Sequence, residues 1–204
     1  MPTPEQMRNM PNTFHMKKPS KSLLNQLINQ GKTHAEINLR RDGNVPPVLF
    51  GHTTDGEFML MPPKFDDVPN KNQFAFIARL HCLAHKTKGV AFVSEVWVAP
   101  ESPDELPDTP PCESLLRREY VMVSVETADG SAQQILLPII RSDAGNFFGL
   151  GEPEMLSAKS SNGRFARFLP AKKPTATDRV VARLILQSLQ KQTAKPRNQR
   201  KRRR

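Results

Sequence analysis

The sequence predicts an α+β fold: a single antiparallel sheet of five to six strands packed by two or three helices. Three observations carry that prediction. Apolar residues recur at helical spacing around residues 23–28, 70–88 and 177–191. Short apolar runs between them are bounded by Asp-Gly and Pro pairs, the punctuation of hairpins. The two long apolar runs at 119–126 and 133–140 flank Asp129-Gly130, a tight-turn signal.

Residues 1–19 are polar and Pro-rich and are expected to form a disordered N-terminal arm. Ser20 or Ser22 is placed to cap a short helix carrying Leu23, Leu24, Leu27 and Ile28, with Gly31 just past its end. Ala35, Ile37 and Leu39 then alternate with His34, Glu36, Asn38 and Arg40, which predicts a half-buried strand. Asp42-Gly43-Asn44 turns the chain. Residues 48–50 and 58–61 form a hairpin about Thr54-Asp55-Gly56, and Pro62-Pro63 ends it.

A helix is expected over 70–88, with Phe74, Ile77, Leu80, Leu83 and Ala84 as its stripe and Gly89 as its stop. Residues 90–98 are apolar on both faces and belong in the middle of the sheet. A surface loop with five prolines and four acids (Glu101, Asp104, Glu105 and Asp108) fills 100–111. After the hairpin, 143–154 reads as a loop or a further short strand. The chain thus divides into an arm (1–19), a globular α+β domain (20–156), a linker (157–176), a helix (177–191) with Val181, Leu184, Ile185 and Leu189 as its stripe, and a basic tail (192–204). Phe165 and Phe168 in the linker are expected to pin against the core.

The segment order resembles the profilin-like or roadblock-like arrangement, which runs helix, two strands, helix, three strands, helix. The resemblance is one of order alone and implies no function. The body also resembles short proteins carried by bacteria and their phages.

Charge is partitioned along the chain. Residues 157–204 hold fifteen Lys and Arg against one acid, Asp178, while residues 1–156 hold fifteen bases and nineteen acids. The overall formal charge is +10. Eight of the bases are Lys191, Lys195, Arg197, Arg200, Lys201, Arg202, Arg203 and Arg204. Such a run repels itself and seeks a polyanion. Guanidinium groups match phosphate geometry, and binding by counterion release is sequence-independent. No aromatic residue interrupts 191–204, so stacking of bases on aromatic rings is not expected there.

Two cysteines, Cys82 and Cys112, give no disulfide framework. No apolar run approaches the length of a membrane span, and the N-terminus lacks the pattern of a secretory signal. A cytoplasmic location is expected, or a nuclear one in a eukaryotic host, where 195–204 would read as a localisation run.

Sites for chemistry are few. His34-Ala35-Glu36 and Pro111-Cys112 match halves of a zinc-deaminase signature, but Leu115 stands where the next thiolate ligand belongs. His81-Cys82-x-x-His85 places two imidazoles one helical turn apart without a third ligand. Glycine-rich phosphate loops and G-x-S-x-G elbows are absent. Glu95 sits in an apolar strand between Val93 and Trp97 and needs a partner such as Arg117, Arg118 or Arg141. A small-molecule pocket, if present, is expected around Glu95, Trp97 and Tyr120. No metal or cofactor is expected.

These readings favour a non-enzymatic accessory protein that binds nucleic acid through its tail. A protein-interaction or assembly module is the alternative, and a small-molecule-binding domain or enzyme centred on Glu95 is the third.

Overall fold

A period of four, not two, organises the first element of the fold. In the computed structural model, which describes residues 22–100, 110–156 and 164–193, Leu23–Asp42 is one helix, α1. The strand expected over 34–40 is therefore part of a helix. Leu27, Gly31, Ala35, Asn38 and Leu39 form its buried face, at spacings of about one turn, while Ile37 is 55% exposed. Gly31 is not a helix stop. A Cβ there would lie 2.8 Å from Val123 Cγ1 and 3.1 Å from Val93 Cγ2, so the glycine lets the helix approach the sheet. Ser22 caps the start by accepting from Asn25 N, and Gly43, at φ 74°, caps the end by donating to Leu39 O.

The strands are β1 (Val48–His52), β2 (Glu57–Leu60), β3 (Gly89–Val98), β4 (Arg118–Thr127), β5 (Ala132–Arg141), β6 (Phe147–Leu150) and β7 (Glu154–Leu156). They form one antiparallel sheet in the order β2-β1-β3-β4-β5-β6, with β7 also paired to β5. The α+β class holds, with seven strands because 143–156 supplies two short ones. β3 is central, paired with β1 and β4, which explains its continuous apolar run.

Side chains alternate across this sheet and build two cores. On one face Ala91, Val93, Val121, Val123, Val125, Ile135 and Leu137 pack against α1. On the other, Leu49, Val90 and Phe92 meet Phe74, Ala78 and Cys82 of α2, the helix Val68–Ala84. Asp67 caps α2 through Asn70 N at 2.7 Å, two residues before Pro69 enters the first turn. The expected end of this helix at Lys88 comes earlier, and Lys86 adopts a positive φ of 50° just beyond it.

Residues 164–171 complete the second core. Phe168 is buried, and Phe165 stacks on Phe92 with ring centroids 4.7 Å apart. The Arg79 guanidinium of α2 fixes the same segment by donating to the carbonyls of Arg164, Ala166 and Arg167. α3, Ala176–Thr193, packs on α2. Thr175 and Asp178 close a reciprocal cap at its start: Asp178 N donates to Thr175 Oγ1, and Thr175 N donates to Asp178 Oδ2. The stripe on α3 is rotated from the expected one. Ala182 is buried and Ile185, Leu186 and Leu189 are half-buried, whereas Val181 and Leu184 face out.

Candidate functional site

Glu95 and Glu119 share the α1 face of the sheet, because both keep the parity of Val93, Val121 and Val123. Glu95 Oε2 accepts from Val45 N at 3.1 Å, and its carboxyl is hydrogen-bonded to Glu119. Glu119 takes a bidentate grip from Arg141 at 2.7 and 2.9 Å, and Arg141 also donates to Gly43 O at 3.0 Å. Burial, and then the neighbouring Glu119, push the Glu95 carboxyl above the usual carboxylate range. The Arg141 guanidinium holds Glu119 below it. Two adjoining carboxyls thus ionise unequally. These five bonds tie the turn after α1, residues 43–45, to β3, β4 and β5. That is a structural clamp, and of Arg117, Arg118 and Arg141 it is Arg141 that joins it, bonding Glu119 and reaching Glu95 only through that carboxylate.

Of the other expected pocket residues, Trp97 shares a face with Glu95 and Tyr120 does not. Trp97 lies on the same face, 41% exposed, with the Arg117 guanidinium 5.1 Å from its ring centroid. Tyr120 pairs with Val96 and points to the opposite face, where its hydroxyl donates to Glu154 Oε1 at 3.3 Å. The expected trio is divided by the sheet itself. Sequence alternation within β4 already placed Tyr120 out of phase with Glu119.

The histidine motifs are packed into the fold. His34 stands edge-on to Phe50 and contacts Asn38 Nδ2 at 3.2 Å. Burial, and then Arg41, lower its pKa. Glu36 and Cys112 are exposed on separate elements. His81 and His85 stack at 4.3 Å, and His81 leans on Phe58 at 4.4 Å. Burial, reinforced by His85, lowers His81 to about 4. Cys82 is buried, and burial raises its thiol to about 12. Among the described residues no group of three His, Cys, Asp or Glu could hold a metal ion.

The C-terminal quarter builds a cationic layer on α2. Residues 164–191 carry seven bases and one acid. Arg164, Arg167, Lys172, Lys173, Arg183 and Lys191 are exposed. Arg183 Nε donates to Ala84 O at 3.3 Å, anchoring α3 beside the end of α2. Lys191 lies in the last turn of α3. Lys195, Arg197, Arg200, Lys201, Arg202, Arg203 and Arg204 lie outside the described residues, as does the N-terminal arm. Phe168 is buried in the core and the half-buried Phe165 packs against it, as the sequence suggested.

Beside this layer runs a trench of about 690 Å³, lying between the sheet and residues 167–171. Ser124, Glu126 and Gln134 of β4 and β5 line it from the sheet, and Leu156, Leu169 and Pro170 supply apolar walls. Sequence reading missed it, because its walls come from strands and a linker segment far apart along the chain. No helix among the described residues is long and apolar enough to cross a membrane. No family model, curated protein or solved structure matches the chain.

Proposed function

We propose that this chain is a non-enzymatic accessory protein that grips nucleic acid through its cationic C-terminal quarter. The observation that carries this reading is the partition of charge: fifteen bases against one acid in residues 157–204. Phosphate is the polyanion that guanidinium and ammonium groups recognise without sequence information. Exposed cations on the ordered layer, from Arg164 to Lys191, lead into the terminal run and extend the grip onto the folded body. The carboxylate pair at Glu95 favours no catalytic role, since its bonds are spent on holding a turn.

The test is retention of single-stranded RNA and of duplex DNA on the full chain and on a chain lacking residues 191–204. Retention at low salt that disappears with the deletion supports the reading. Equal retention by both chains contradicts it.

A second reading has its own observation. Val180, Val181 and Leu184 present an outward apolar stripe on α3, with Leu184 59% exposed. Such a stripe suits a protein partner or self-assembly. Solution mass at low and high salt separates the two readings: a monomer under both conditions removes assembly.

A further inference from the structure

We propose that the trench beside β4, β5 and β7 is a nucleobase pocket selective for an amino-bearing base, cytosine or adenine. This deepens the nucleic-acid reading and rests on it. The cationic run supplies a sequence-blind hold, and the trench adds a local base preference.

The size is right. At about 690 Å³ it lies within the range of roughly 300–1,000 Å³ typical of small-molecule sites. The walls fit a flat ring: Leu156, Leu169 and Pro170 are apolar and carry no charge to desolvate.

The sheet side carries a definite hydrogen-bond pattern. Ser124 pairs with Gln134, and Glu126 pairs with Ala132, so the three polar groups sit on neighbouring positions of one face. Glu126 Oε2 accepts from Leu169 N at 3.2 Å, which fixes the carboxylate against the opposite wall. Its second oxygen remains an acceptor for an exocyclic amino group. Gln134 Nε2 donates to the Met122 thioether at 2.8 Å. A thioether is a weak acceptor, so exchanging it for a ring nitrogen loses little. An acceptor beside a donor is the complement of the amino group and ring nitrogen shared by cytosine and adenine. Uracil presents a carbonyl where cytosine carries its amino group, and that carbonyl would face the Glu126 carboxylate.

The phosphate end is also provided. Arg167 lines the trench, and Lys172 and Lys173 follow directly on the wall residue Ala171, both exposed. Arg167 holds a positive φ of 57°, a conformation that a non-glycine residue keeps only when its surroundings fix it. The Arg79 bonds to the carbonyls of Arg164, Ala166 and Arg167 are that fixing contact.

The experiment is titration of the ¹⁵N-labelled full chain with CMP, AMP, UMP and inorganic phosphate, followed by amide shifts. CMP and AMP are expected to move Ser124, Glu126, Gln134 and Leu169, with UMP weaker by at least about tenfold. Inorganic phosphate is expected to move only the neighbourhood of Lys172 and Lys173. Glu126→Gln keeps an acceptor for Leu169 N, and should weaken CMP about tenfold while leaving phosphate unchanged. Ala132→Trp fills the trench from an exposed position and should abolish CMP binding without altering charge. Equal shifts from CMP and UMP, or no shift at Ser124, Gln134 and Leu169, overturn the pocket. Retention of a single-stranded oligonucleotide is measured on the same preparation. Retention with a silent trench sinks the pocket alone, whereas loss of retention sinks the nucleic-acid reading.

Discussion

The Glu95 carboxyl hydrogen-bonds to Glu119 across β3 and β4, and only Glu119 is gripped by an arginine. The two groups therefore push stability in opposite directions with pH. Glu95 binds its proton more tightly folded than unfolded, so its contribution is present at low pH and is lost as pH rises through its raised folded value. Glu119 is held below its usual range, so its contribution is present at neutral pH and is lost as pH falls through the depressed value. Glu95→Gln keeps an acceptor for Val45 N and removes the like charge. It should match or exceed the parent in urea midpoint at pH 8, with the gain shrinking towards pH 4. Glu119→Gln removes the negative charge and leaves Arg141 one acceptor oxygen in place of two, and should cost about 2 kcal/mol at pH 7.

Gly31 is a point of close approach of α1 to the sheet, and it tests the packing claim. Gly31→Ala improves helix propensity by about 1 kcal/mol, yet its Cβ meets Val123 at 2.8 Å. Overpacking costs about 1–3 kcal/mol, so the net effect should be destabilising. Gly31→Leu should prevent α1 from docking, read as loss of a cooperative urea transition. Lys32→Ala, one residue on, should change little.

His81 gives a separate acid signature. Its pKa of about 4 lies below the unfolded value near 6.5, so the unfolded chain takes up the proton first. Stability should be intact above pH 6.5 and fall as pH drops towards 4. His81→Leu should flatten that part of the profile. A proton-NMR titration that puts the His81 ring near 6.5 contradicts the burial argument.

The two thiols should differ in reactivity. Cys82 is buried with its thiol raised to about 12, while Cys112 is exposed. A thiol reagent at pH 8 should label one cysteine in the native chain and both in denaturant. Rapid labelling of Cys82 in the native chain would mean that α2 opens from the sheet.

Much of the sheet was legible because β3, β4 and β5 are long apolar runs, β3 being apolar on both faces as a central strand must be, and Asp129-Gly130 marks the turn between β4 and β5. The α1 error has a local cause. Gly31 stands where a helix stop would but is a contact glycine, and an incidental alternation from Ala35 to Leu39 masks the period set by Leu27, Ala35 and Leu39. Glu95 could be singled out from sequence because a carboxylate in an apolar strand is conspicuous. Its Val45 and Glu119 partners could not, because strand register is a long-range property. The trench was illegible for the same reason: Glu126, Gln134 and Leu169 meet only after the 164–171 segment folds back over the sheet.

The measurement that bears most directly on the central claim is the salt dependence of single-stranded RNA affinity, with and without residues 195–204. Those residues carry seven bases. Each phosphate neutralised on a single strand contributes about −0.7 to the slope of log K against log salt. Deletion should flatten the slope by up to about 5 and weaken binding most at low salt. An unchanged slope and affinity after deletion would show that the terminal cations hold no phosphate.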